Sequence, residues 1–399
     1  MAVTEKKQRL IFIDVLRGIA VIWMIETHVV DIMLNRGYKV GWFYNQLNIS
    51  NGFVAVSFLF CAGAGFWLAS MRKGDDYRNF RLPLWIYIRR LLLILAVGFW
   101  LHTPILSLSR LINLAYAPLN PADPTFPYRT FYGMIECDVL QAIIYSSFIS
   151  LFLMMIIKNM KILRWVFLVL SVAVFALAPI IWNINFMDKC NPFIGALFTG
   201  RIPGTQVMIS KFPLFPWSGY FFGGVALTAF FMAAENKRRF AWIVFIITFI
   251  APHVIFWVKD LPFVYPGNQN WWWNSPGHSL FRISVSSCVF AFLYLTENYY
   301  RNWFISKPLQ LSGQESLFLY TSHILLVYNI IPGDWFRQFY QLKGSLDWLG
   351  TLIAFIVITV LCYYVSKLWH ILKDRDMFWA RVVINAVLLF FIVKLVFTP

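Results

Sequence analysis

Eleven apolar runs, each near the length of about 20 residues needed to cross a hydrocarbon layer, divide this chain. They lie near 11–30, 52–70, 86–106, 137–157, 162–182, 213–233, 239–259, 278–297, 313–331, 348–368 and 378–397. In lipid, each backbone donor and acceptor must be satisfied inside the segment or across a closed barrel. Unbroken runs of this length are helices, since a barrel strand is shorter and alternates. The expected fold is an all-α polytopic membrane helix bundle of about eleven transmembrane helices, forming one domain over residues 1–399. Charged residues make up 13% of the chain, about half the fraction usual in soluble domains. No internal repeat, heptad pattern or separate soluble domain is visible.

The formal charge of +16 would suit a nucleic-acid binder, but its placement argues otherwise. Of the 34 Lys and Arg, 21 fall in the links 1–10, 71–90, 158–164, 235–239, 297–308 and 367–381. The alternate links 31–51, 107–136, 183–212, 259–277 and 332–347 hold 10. That asymmetry is the positive-inside pattern, and it expects a cytoplasmic N-terminus and an external C-terminus. Nucleic acid is therefore not an expected partner, whereas membrane lipids are. Lys6, Lys7 and Arg9 precede the first run as in a signal peptide, but no small-residue cleavage site follows, so the run is expected to be helix one.

Two external links are long. Residues 107–136 carry Pro118, Pro121, Pro124 and Pro127, which preclude regular helix there, and 183–216 is similarly irregular. Each either covers a cavity or is plain surface loop. Trp271, Trp272 and Trp273 precede the eighth run, as an interfacial aromatic belt or as a stacking platform for a sugar or lipid head group. The five cysteines show no metal spacing, so no metal is expected. Cys61, Cys288 and Cys362 read as packing residues, and a Cys137–Cys190 disulfide is not expected.

The first run, "IDVLRGIAVIWMIETH", contains Asp14, Arg17 and His28. Eleven residues separate Arg17 from His28, which is three helical turns plus about 20°, or about 16 Å along one face. Asp14 precedes Arg17 by three, within ion-pair reach. Such a stripe is costly against lipid, so it must face the bundle interior or a wet cavity. Glu26 projects from a different face. The plain alternative is a structural salt bridge and a hydrogen-bonded histidine. Further polar residues sit in other runs: His323 with Ser316 and Tyr320 on its face, Glu315 beside them, and Arg282 four residues after His278. His102 ends the third run, and Asp138 and Gln141 open the fourth, where Asp138 could simply be an N-cap. His253 and His370 read as structural.

These residues resemble the transmembrane acyltransferases. "RLIFIDVLRGIAVIWMIETH" is similar to the opening helix of bacterial relatives of the heparan-α-glucosaminide N-acetyltransferase catalytic domain. It also has the Arg-x10-His spacing of the acyltransferase-3 family. "GFVAVSFLFCAGAGFWLASMRK", "DVLQAIIYS", "FPLFPWSGYFFGG" and "LSGQESLFLYTSHILLVY" resemble later segments, so the likeness covers residues 9 to about 330 and leaves two extra helices at 348–397. The resemblance implies transfer of an acyl group, acetyl above all, from cytoplasmic acyl-CoA to a sugar, glycan or lipid-linked acceptor beyond a bacterial inner membrane. It carries the reactive histidine to His28 and the paired arginine to Arg17. The "MIETH" ending departs from the lysosomal enzyme, so a heparan-type amino sugar is not implied.

On this reading His28 takes the acceptor's proton or forms an acyl-imidazole, with His323 or Arg282 near the developing oxyanion. Arg17, Asp14, Arg72 and Arg89 face the acyl-CoA; Asp138, Gln141, Arg282, His278 and Trp272 face the acceptor. A homodimer is left open. The competing reading is a secondary transporter or flippase that uses Asp14, Arg17 and His28 as a polar path, but no repeated halves or paired broken helices support it. A membrane scaffold is the third.

Overall fold

The computed structural model describes residues 10–101, 136–184, 192–201, 210–259, 274–328 and 342–397, with isolated positions at 108, 186 and 208. His102, the proline-bearing stretch up to Pro127, Cys190 and Trp271–Trp273 lie outside them. The helices are α1 (Ile11–Met33), α2 (Gly41–Asn51), α3 (Val54–Arg78), α4 (Leu82–Leu101), α5 (Val139–Ile156), α6 (Met160–Trp182) and α7 (Pro192–Phe198). They continue with α8 (Leu214–Ala233), α9 (Lys237–Val258), α10 (Pro276–Tyr300), α11 (Ser306–Gln314), α12 (Ser316–Val327), α13 (Trp348–Arg375) and α14 (Met377–Phe397). No β-strand forms among the described residues beyond two isolated bridges, Leu34 with Leu346 and Arg201 with Met208.

Each of the eleven apolar runs coincides with a helix, but eight stretches are long and apolar enough to span a membrane: α2 running into α3, and α4, α5, α6, α8, α9, α10 and α13. Two of the other three runs fall short for identifiable reasons. Helix α1 has the length but carries Asp14, Arg17, Glu26 and Asp31. The run at 313–331 is broken at Glu315, which leaves α12 only 12 residues. In α14, Met377–Phe390 is apolar among the residues described with their side chains. Of the stretches read as links, 31–51 contains the helix α2 and 297–308 runs into the start of α11. Both lack a long apolar run, which is why hydropathy alone passes over them.

Packing radiates from two close helix crossings. Gly63 of α3 abuts the Phe221 backbone of α8, and Gly224 of α8 abuts the Phe60 backbone of α3. Likewise, Gly18 of α1 meets the backbone of Leu309 in α11, while Gly313 of α11 meets the Asp14 carbonyl. Small residues at such points let backbones approach within van der Waals range, which in lipid substitutes for a hydrophobic driving force. Around the first turns of α1, Phe12 meets Phe290 at 5.0 Å and Phe231 at 5.8 Å, both edge to face. Helix α1 thereby sits between α3, α10, α11, α12 and α13, and its polar groups have protein rather than lipid around them.

The break between α11 and α12 is tied to α13. The Glu315 side chain, 6% exposed, receives Lys373 Nζ at 2.5 and 2.6 Å and His370 Nδ1 at 2.8 Å. A buried carboxylate without such partners would be strongly unfavourable. The clamp fixes where α12 starts and hence the height of Tyr320 and His323.

The crossings make a stability prediction. A methyl group at Gly313 would overlap the Asp14 carbonyl, whereas one at Gly74 would meet only Arg78 Nη1, at 3.9 Å. Gly313→Ala should cost about 1–3 kcal/mol or more through overpacking, and Gly74→Ala should be neutral or mildly stabilising, as expected for alanine in a helix. Thermal unfolding of the two variants in detergent distinguishes them; equal melting temperatures would contradict the crossing.

Candidate active site: a basic slot and a neighbouring histidine pair

A cavity of about 640 Å3 opens between α1, α3, α4, α5 and α12. At one end stand Arg72, Lys73 and Arg90, with Tyr77 and Tyr87 beside them. Deeper in, Asp14 and Arg17 contribute from α1, and the far wall is Val139, Leu140, Ser316, Leu317 and Tyr320. Arg17 donates from Nη2 to the Cys61 carbonyl at 3.3 Å. A Cβ on Gly65 would stand 3.2 Å from that same nitrogen, so the missing side chain gives the guanidinium its space. The charge distribution is one-ended: three cations at the rim, a fourth inside, and apolar walls between. Such a slot concentrates an anion at its opening and admits a long, mostly neutral chain behind it.

Tyr320 lines the cavity and touches a cluster of rings, His323 and His28 among them, that do not themselves line it. Its hydroxyl donates to Asp138 Oδ2 at 2.9 Å, and its ring stands edge to face with His323 at 5.8 Å. His323 lies 5.3 Å from His28, also edge to face. His28 Nδ1 is 2.8 Å from the Tyr328 hydroxyl. Five side chains from α1, α12 with its C-cap, and the α5 N-cap thus form one chain: Asp138, Tyr320, His323, His28 and Tyr328. Asp138 stands at the α5 N-cap position but makes no side-chain cap bond; its carboxylate, 7% exposed, turns to Tyr320 instead.

The proton positions on His323 follow from its partners. Nδ1 lies 2.8 Å from the Leu319 carbonyl, which can only accept, so Nδ1 carries the hydrogen. In the neutral ring this leaves Nε2 as a bare lone pair. That atom is fully buried and has no hydrogen-bond partner. Unpaired buried acceptors are rare in folded proteins, and this one adjoins a partly exposed imidazole. The pair can therefore accept a proton and receive a hydrogen bond from a third group placed between them.

The remaining candidates divide. Arg17, Asp14 and Arg72 line the cavity, while among the two adjacent arginines of α4 it is Arg90, not Arg89, that does so. Asp138 joins the ring cluster. Gln141 is buried against Gly98 of α4 with neither side-chain atom paired, so it does not line the slot. Arg282 and His278 occupy a different locus. Arg282 lies over Trp217 at 5.4 Å and against Gly52, and His278 stacks on Phe281 at 6.1 Å. Glu26 also faces away, hydrogen-bonded to Asn51, which accepts from Trp23 as well. Trp272 lies outside the described residues. Lys73 and Tyr328 were not singled out from sequence; Lys73 has no apolar context to mark it, and Tyr328 meets His28 across 300 residues. Cys137 is a free, buried thiol. Among the described residues no three His, Cys, Asp or Glu side chains group as for a metal ion.

Comparison with known proteins identifies the family. The family described as heparan-alpha-glucosaminide N-acetyltransferase, catalytic, matches residues 9–265, and the chain belongs to it. No curated protein matches the chain. Family and apolar helices together make it an integral membrane acetyltransferase. The match contains Asp14, Arg17, His28 and Asp138, and it ends before His323.

The two tyrosines should differ in their structural weight. Tyr320→Phe removes a donor from a buried carboxylate and should cost about 1–3 kcal/mol. Tyr328→Phe, whose partner His28 is partly exposed, should cost less than about 1 kcal/mol on the same scale. Denaturation midpoints in detergent report the difference; a larger loss at Tyr328 would contradict the burial pattern.

Proposed function

We propose that this protein moves an acetyl group from acetyl-CoA, bound through the basic end of the slot, to a hydroxyl or amine of a sugar, glycan or lipid-linked acceptor reached from the opposite end. The supporting observation is the continuity from Arg72, Lys73 and Arg90, past Arg17, to Tyr320 and its histidine neighbours. Phosphates of the donor pair with the rim cations, where charge-assisted bonds are strongest. The uncharged pantetheine arm occupies the apolar stretch, and its thioester is drawn towards the imidazoles. The positive-inside pattern puts the basic end in the cytoplasm, so the acceptor is taken on the external face of a bacterial inner membrane.

The chemistry needs one base and one polarised carbonyl. The acceptor's O–H or N–H lies against His28, which takes the proton as the new bond forms at the thioester carbon. His323 Nε2 accepts a hydrogen bond from the acceptor and fixes its approach. Collapse of the tetrahedral species breaks the C–S bond, and the proton returns from the imidazolium to the departing sulfur, giving free CoA. An imidazole can take up a proton on one nitrogen and give it back without leaving its place, which suits both transfers. Walls of apolar side chains keep water from the thioester, which would otherwise hydrolyse.

Two experiments test this. Replacing His28 with Ala should lower acetyl transfer by about 10²–10⁴-fold with membrane insertion unchanged, and His323→Ala should lower kcat more than it raises the acceptor KM. Full turnover in either variant removes that histidine from the chemistry. Arg17→Ala should weaken acetyl-CoA binding about tenfold to a hundredfold, the worth of one hydrogen bond to a charged group. Isothermal titration of the purified protein measures it, and an unchanged Kd would make Arg17 a purely structural group.

A further inference from the structure

A second cavity, of about 320 Å3, lies outside the slot, between the C-terminal end of α3, the start of α6 and the C-terminal end of α8. Its charged lining is Arg72, Asp75, Arg78, Lys161 and Arg164. Two of these are already engaged. Arg78 pairs with Asp75 at 3.3 Å and also donates to the carbonyls of Met154 and Lys158, capping the end of α5. That leaves Arg72, Lys161 and Arg164 with no acid among the described residues to balance them. Arg164 rests over the Phe230 ring at 5.2 Å, and its Nε is buried without a hydrogen-bond partner. Trp67, Ala229 and Met232 form an apolar floor.

Three unbalanced cations over an apolar floor call for an anion with an apolar attachment. The surface below the cavity supplies the matching track. Ile162, Trp165, Val169 and Val172 are 54%, 54%, 63% and 53% exposed and recur at helical spacing along one side of α6. This stripe begins beside Lys161 and Arg164 and runs along the membrane-spanning part of the helix. We propose that the cavity binds the phosphate of an anionic membrane phospholipid, held by Lys161, Arg164 and Arg72, with an acyl chain lying along the α6 stripe. Basic groups at the cytoplasmic membrane surface attract anionic lipid in this manner. Because Arg72 also lines the donor slot, a lipid seated here borders the opening through which the donor enters. The assignment does not rest on the acetyltransferase reading.

The test is lipid binding without any acyl donor. The whole protein is placed in phosphatidylcholine nanodiscs containing phosphatidylglycerol, and bound phosphatidylglycerol is measured by native mass spectrometry. Removing two cations with Lys161→Gln and Arg164→Gln together should weaken retention about thirtyfold. Arg239→Gln, an exposed charge on α9 outside the cavity, should leave retention unchanged. Should the double variant fail to fold because Arg164 no longer rests on Phe230, Lys161→Gln alone, an exposed site, should still weaken retention about fivefold. Undiminished retention overturns the proposal. Inorganic pyrophosphate that competes fully with the lipid, and binds the detergent-solubilised protein through the same two residues, also overturns it by making the site one for soluble phosphate.

Discussion

A charged or titratable side chain inside a membrane has to be surrounded by protein or water, and α1 carries several. That requirement orders the rest of the bundle. Asp14, Arg17 and His28 cannot face lipid, so α1 is enclosed by α3, α10, α11, α12 and α13. Enclosure demands close backbone contact, which the glycines at 18 and 313 permit against α11. The cost of burying polar groups is in turn offset locally. Arg17 reaches the Cys61 carbonyl, His28 reaches Tyr328, and the carboxylate at Glu315 is matched by Lys373 and His370.

Within that frame the two ends of α1 have opposite chemistry. Near its N-terminal end the cavity is cationic and open; near the His28 end there are neutral rings, packed edge to face. Arg17 and His28 stand about 16 Å apart along the helix; on α1 the slot's lining ends at Arg17, and the rings lie beyond it. Tyr320 belongs to both, lining the cavity while touching His323 and bonding Asp138. Its position depends on the break at Glu315, and that break is anchored by α13. The last helices, which lie beyond the family match, therefore set the height of a residue at the centre of the site.

Much of this could be read from the chain. The apolar runs locate the helices because length and hydropathy are direct consequences of the solvent. The Arg17–His28 stripe is legible because a helical period of 3.6 makes facing residues calculable. Three features escaped for physical reasons. Helices α2 and α11 have little apolar signal, being held by neighbours rather than by burial of a long face. The break at Glu315 depends on a clamp from residues 370 and 373, about 55 positions away. Arg89 and Arg90 are adjacent and differ only in direction, so the choice between them requires the rotation of α4. Asp138, readable from sequence as an N-cap or as an acceptor-facing group, is bonded instead to Tyr320, 182 residues distant, beyond any local rule. Arg282 and His278 do share a helix face, but that face meets Trp217 and Phe281 rather than the imidazoles.

The most direct measurement is an experimental structure of the protein with a thioether analogue of acetyl-CoA, which cannot transfer its acyl group. The prediction is that its phosphates lie against Arg72, Lys73 and Arg90 while the carbonyl carbon reaches past Tyr320 to within hydrogen-bond range of the His28 and His323 rings. An analogue bound elsewhere, or seated in the slot with its carbonyl remote from both imidazoles, would contradict the link between the basic opening and the histidine pair.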